Sequence, residues 1–144
     1  MQVEPYLFFD GRCEEALEFY RQALGAEVTA LMRYRESPES GMVPAGAEDK
    51  IMHGVFRLGN STMMVSDDCT GHPAFQGFSL ALSVTAPAEA ERLFNALADG
   101  GEIQMPLAKT FWSPLFGMVA DRFGLLWMIN VIEPGSGSES GYLK

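Results

Sequence analysis

Residues able to do chemistry are sparse in this chain, which holds only two histidines and two cysteines among 144 residues. His53 lies in a strand-like run, in phase with Ile51 and Val55. An imidazole titrates near neutrality, so such a residue can take a proton from a substrate or orient a ligand. The plainer reading is a buried histidine satisfied by a local hydrogen bond, and both stay open. His72 stands beside Pro73 in a polar linker and reads as surface. Asp67, Asp68, Cys69 and His72 fall within six residues, but without the spacing of a recognised zinc site. The chain carries no nucleophile elbow, phosphate loop or dinucleotide fingerprint. Trp112 follows Phe111 on a connector, where a large aromatic is a pocket wall, a dimer contact or plain local packing. Trp127 sits in a core-like strand, and Asn130, between Ile129 and Val131, needs a partner if buried.

The elements that must hold these residues occur twice. Residues 12–24 read as a helix with Leu17, Tyr20 and Leu24 on one face; Gly25-Ala26-Glu27 and an apolar strand follow. Residues 87–97 repeat this with Ala90, Leu93, Phe94 and Leu97, then Gly100-Gly101-Glu102 and another strand. Glycine closes a last helical turn cheaply because it tolerates positive φ. Strands are expected over residues 3–9, 27–34, 50–58 and 61–66, and again over 75–84, 102–105, 115–120 and 125–132. Pro5 marks an edge strand or a strand start, and Asp10 is placed to cap the first helix. Pro87 suits the first turn of the second helix. The order is β-α-β-β-β, twice, the trace of an internal duplication. This is an α+β chain with one module over about 1–67 and a second over about 74–133, forming a curved mixed sheet around a central cleft. Residues 35–49 are a flap or a plain loop, and 134–144 form a Gly/Ser tail expected to be flexible.

Composition narrows the partners. A net charge of −9 disfavours a phosphate backbone or an anionic membrane, so neither nucleic acid nor membrane is expected. No apolar run reaches the length of a membrane span, and the first residues carry no signal-peptide pattern. Two cysteines make no disulfide framework, and a cytoplasmic location is the expectation. Nine methionines offer soft packing for a core and for an adaptable pocket.

The pattern resembles the vicinal oxygen chelate superfamily of glyoxalases, bleomycin-resistance proteins and extradiol dioxygenases. More narrowly it is similar to the PhnB-like branch, also labelled as resembling 3-demethylubiquinone-9 3-methyltransferase. The likeness rests on Tyr6-Leu7-Phe8-Phe9-Asp10-Gly11, on Ala16–Tyr20 with Leu24–Glu27, and on His53. It continues through Met63-Met64-Val65-Ser66-Asp67 and Thr110-Phe111-Trp112, and is strongest over residues 121–130, from Asp121-Arg122-Phe123-Gly124 to Asn130.

The resemblance implies two βαβββ modules forming a cleft, usually in a homodimer. Metal-dependent members carry ligands on the first and last strand of each module. Those slots correspond here to Pro5, Met64, Phe78 and Met128, none of them an ordinary ligand for a divalent ion at an oxygen/nitrogen site. The resemblance therefore implies a small-molecule-binding protein without the usual metal. His53 is its candidate catalytic residue, and the pocket is drawn from Phe8, Met64, Ser66, Asp67, Phe78, Trp112, Trp127, Met128 and Asn130. Two alternatives stand beside it. One is a lyase, isomerase or hydrolase using His53 as base, with or without an acquired divalent metal as its cofactor. The other is a structural or interaction role of the dimer. A methyltransferase would need a glycine-rich turn after a strand of a parallel α/β sheet, and the sequence has none.

Overall fold

The computed structural model describes residues 1–38, 43, 45–67 and 74–133. Strand β1 spans Tyr6–Phe9, helix α1 Cys13–Leu24, β2 Glu27–Arg33, β3 Ile51–Leu58 and β4 Ser61–Asp67. The second series is β5 Leu80–Val84, α2 Pro87–Ala98, β6 Glu102–Ala108, β7 Phe116–Ala120 and β8 Leu126–Val131. The chain divides into two compact units at Pro73/Ala74, each with one such series. The order β-α-β-β-β, twice, is that read from the repeat.

Each unit builds one four-stranded mixed sheet. The first has the order β1-β4-β3-β2 and the second β5-β8-β7-β6. In each, the outer first strand runs parallel to the last strand, and the remaining pairs are antiparallel. Pro5 precedes the edge strand β1, where its missing N–H costs no ladder bond, while its carbonyl accepts the Met64 N–H at 2.9 Å. The Gly59-Asn60 turn between β3 and β4 has positive φ at Gly59 and not at Asn60, the pattern of a type II′ hairpin turn.

In each unit the helix covers one face. Cys13, Ala16, Leu17, Tyr20 and Ala23 are the buried positions of α1, at helical spacing. Tyr20 stacks on Phe56 of β3 at 5.7 Å and meets Phe9 of β1 at 6.3 Å. Burying side chains of this size contributes about 1.5–3 kcal/mol each. In the second unit Ala90, Leu93, Phe94 and Leu97 of α2 are buried, as the repeat requires. A Cβ at Gly117 would stand 2.8 Å from the Phe94 ring and 2.9 Å from Leu107, so this glycine is what lets α2 seat on β7.

The register shows how closely the units match. Leu7, Val65 and Gly54 lie side by side across β1, β4 and β3; Leu82, Ile129 and Gly117 do so across β5, β8 and β7. One step along, Tyr6, Met64 and Val55 correspond to Ala81, Met128 and Met118.

Several expectations are corrected. Strand β1 begins at Tyr6, after Val3. Strand β5 begins at Leu80, so Phe75 and Phe78 precede it, while β6 runs on to Ala108. Asp10 does not cap α1: its N-cap is Arg12, with no side-chain cap bond, and the carboxylate that reaches the helix start is Asp67. The 35–49 segment opens with a 3-10 turn, Tyr34–Glu36. It is tied to the strand side by Tyr34 N–H to the Lys50 carbonyl (3.0 Å) and Arg35 N–H to the Glu48 carbonyl (2.9 Å). Its middle, at 39–42 and 44, lies outside the described residues, as do Asp68, Cys69, His72 and the tail 134–144.

Candidate functional site

Alternation along β1 sends Leu7 and Phe9 to the helix side and Tyr6 and Phe8 to the other. The register then groups the neighbours on that helix-free face. Tyr6 pairs with Met64 and Phe8 with Ser66; Met64 pairs with Val55, two residues from His53, and His53 pairs with Met32. A surface of rings and thioethers results, with Phe8 48 %, Met32 39 % and Tyr6 38 % exposed.

One polar pair interrupts this surface. The Tyr6 hydroxyl lies 3.2 Å from Nδ1 of His53, and the two rings are 5.9 Å apart. Tyr6 also stacks on Phe8, with centroids 5.0 Å apart at 28°. His53 is half-buried, set between Met52 and Gly54 on an inner strand. A side chain held this way can present its other ring nitrogen to a ligand.

The second unit offers a different helix-free face. Its position matching His53 is Phe116, and the one matching Tyr6 is Ala81, so the duplication carries the polar pair once. Ser83 and Asn130 pair across β5 and β8, and Met128 pairs with Met118. Asn130 is 3 % exposed and Met128 half-buried. Trp112 packs on Phe116 at 5.4 Å and meets Phe111 edge-on at 4.7 Å. A tight turn fixes this aromatic pair: Thr110 Oγ1 accepts the N–H of Ser113 at 3.0 Å. The Ser113 hydroxyl closes onto the Leu115 or the Val131 carbonyl, at 2.8 and 3.0 Å. Phe111 stands almost fully exposed.

The structure sorts the sequence candidates. His53, Phe8, Met64 and Ser66 share the helix-free face of the first sheet, with Ser66 buried in it. Asp67 is 2 % exposed, and both its oxygens are taken: Oδ1 accepts the Cys13 N–H and Oδ2 the Ile51 N–H, each at 2.9 Å. It is a structural pin between β4, α1 and β3. Trp127 is 1 % exposed and donates Nε1–H to Asp121 Oδ2 at 2.9 Å, which makes it core. Phe78 lies outside the sheet, against Phe75 at 6.3 Å. Trp112, Met128 and Asn130 belong to the second unit. Tyr6 escaped the sequence reading as a site residue, although strict alternation against Leu7 and Phe9 already placed it on the Phe8 face.

The metal positions can be tested on the donor set. Met64 faces Tyr6 across β4 and β1, and Met128 faces Ala81 across β8 and β5. The neighbours of the two methionines are thus Tyr6 and Ala81, in place of the Pro5 and Phe78 expected from sequence. Thioether, phenol and methyl groups do not fit a divalent ion that seeks imidazole or carboxylate. Among the described residues no three of His, Cys, Asp and Glu are grouped to hold a metal. Cys13 is buried beside Asp67, and burial first, then that carboxylate, pushes its thiol far up, away from thiolate chemistry. No helix among the described residues is long and apolar enough to cross a membrane.

Comparison with known proteins agrees with this architecture. Residues 1–130 match the family model described as 3-demethylubiquinone-9 3-methyltransferase. Protein YjdN of Escherichia coli is 37 % identical over 142 residues, covering 92 % of this chain and 97 % of YjdN. Protein PA1353 of Pseudomonas aeruginosa superposes with a TM-score of 0.83 at 47 % identity, over 92 % of this chain and 98 % of that one. A PhnB protein from Bacillus cereus, described as a putative 3-demethylubiquinone-9 3-methyltransferase, gives 0.79 at 27 % identity, over 92 % and 100 %. The chain belongs to this family, the one shared with the PhnB protein.

Proposed function

We propose that this protein binds a small molecule on the helix-free face of its first sheet, as a homodimer and without the divalent metal of the glyoxalases. The observation that carries this reading is the Tyr6–His53 pair: one polar contact, at 3.2 Å, within an accessible field of Phe8, Met32 and Met64. Binding sites are mostly apolar with a few placed polar groups, and that is the composition here. The family name speaks of methyl transfer, but each sheet has only one parallel strand pair and no glycine-rich turn from strand to helix for a methyl donor. Support for the reading comes from the pair and its surroundings.

The test is a thermal-shift screen of metabolites, run alone and with Mg, Mn, Zn, Ni or Fe salts, on the full chain and on His53→Ala. Compounds that raise Tm in the parent are expected to lose most of that rise in the variant. Equal shifts in both would remove His53 from the site.

A second reading takes the opposite tautomer of the same pair: with Nδ1–H donating to the Tyr6 hydroxyl, Nε2 is bare and His53 acts as general base in a lyase, isomerase or hydrolase. It predicts conversion of a bound compound that ceases in His53→Ala.

A further inference from the structure

The bond between Tyr6 and His53 constrains what binds beside it. A neutral imidazole carries one proton on two nitrogens, so the partner of Nδ1 decides what Nε2 offers. A phenol oxygen gives part of its lone-pair density to the ring and donates better than it accepts, whereas a bare imidazole nitrogen is a strong acceptor. With the hydroxyl 3.2 Å from Nδ1, the favoured arrangement is O–H donating to Nδ1 with the proton on Nε2. This is the only hydrogen bond either side chain makes among the described residues. Nε2–H is then a donor seeking an acceptor. Around it stand the stacked rings of Tyr6 and Phe8, 5.0 Å apart at 28°, and the cross-strand neighbour Met32. Such a surface suits the flat face of a ring.

Resting on the proposed binding site, we propose that Tyr6 is a positioning residue that fixes the Nε2–H form of His53. The ligand class is an aromatic molecule with a hydrogen-bond-accepting oxygen. The oxygen sits on Nε2–H and the ring lies over Phe8. An aromatic cation that can only donate is disfavoured, even though the net charge of −9 attracts it.

The experiment reads the ring nitrogens of His53 by NMR in the full chain carrying His72→Gln, which leaves one imidazole. The expected spectrum shows a bare Nδ1 and a protonated Nε2, and Tyr6→Phe relaxes this toward a mixture. That variant keeps the ring, and its amide spectrum reports the fold; the parent spectrum alone already decides the tautomer. The reverse pattern overturns the inference. Acetophenone, a neutral acceptor, and benzylammonium, a donor, are then titrated separately. Acetophenone is expected to shift Nε2 and the Tyr6 and Phe8 resonances and to bind about tenfold more tightly than benzylammonium, the factor one good hydrogen bond supplies. Equal binding of both at His53 overturns the donor assignment and leaves the site standing. Perturbation of neither Tyr6, Phe8 nor His53 by either probe removes the site and the inference together.

Discussion

Asp67, at the end of β4, holds the first turn of α1 by accepting the Cys13 N–H at 2.9 Å. Its other oxygen takes the N–H of Ile51, so one buried carboxylate joins the last strand, the helix and an inner strand of the first sheet. Such bonds matter most when removed, because the donors left behind are buried.

Asp67→Ala should therefore destabilise the chain by about 3 kcal/mol, from two stranded amide donors. Asp67→Asn keeps one acceptor oxygen but turns its NH2 against the other amide N–H, so it should cost at least about half of that. Urea unfolding of the three proteins measures it. Equal midpoints for the parent and the alanine variant would show that the pin is dispensable.

In the second unit, Asp121 accepts the N–H groups of Phe123 (2.9 Å) and Leu125 (3.1 Å) and the indole N–H of Trp127 (2.9 Å). Trp127→Phe should lose about 1–3 kcal/mol, from the charged bond and the smaller ring. A double-mutant cycle with Asp121→Asn should return a coupling of about 1 kcal/mol or more. Additive losses would place the effect in packing alone.

Gly117→Ala should cost about 1–3 kcal/mol, because the new methyl meets Phe94 at 2.8 Å, Leu107 at 2.9 Å and the Met105 carbonyl at 3.1 Å. Truncating Phe94 to leucine in the same chain should recover part of that loss. No recovery would mean that Leu107 or the Met105 backbone is the obstacle.

The acid limb of stability has a readable sign. The Arg33 guanidinium, hydrogen-bonded to Glu14, holds that carboxyl below the usual carboxylate range; the bond to Arg21 pushes Glu18 down to about 2. A carboxyl lowered in the folded state adds stability above its unfolded value, near 4.3, and that share is lost as pH falls through the folded value. Glu14 is largely exposed, so its share is below about 1 kcal/mol. Glu14→Gln should trail the parent slightly at pH 6 and draw level near pH 2. A gap that stays constant across that range would rule out linkage as its cause.

Much of the fold was legible because glycine and helical periodicity mark the same unit twice. Leu17 and Tyr20 in α1 and Leu93, Phe94 and Leu97 in α2 fall on the buried faces their spacing gave them. Asp67 was drawn into the pocket from its sequence, because nothing in the Ser-Asp run shows the two backbone amides that it serves. Those amides lie 54 and 16 residues away, beyond any local pattern. Trp127 was ambiguous for a similar reason, as its donor finds Asp121 only when the β7–β8 turn closes. Tyr6 needed the parallel pairing of β1 with β4, and the antiparallel pairing of β4 with β3, before it could be set near His53. Strand ends at Tyr6, Leu80 and Ala108 depend on pairing partners and not on hydrophobicity alone.

The matched registers of the two sheets supply an internal blank for engineering. Ala81 and Phe116 occupy in the second sheet the stations that Tyr6 and His53 occupy in the first. Writing tyrosine and histidine into those stations would transplant the pair onto strands of the same register but other neighbours, Trp112 among them, and so separate what the pair recognises from what its surroundings add.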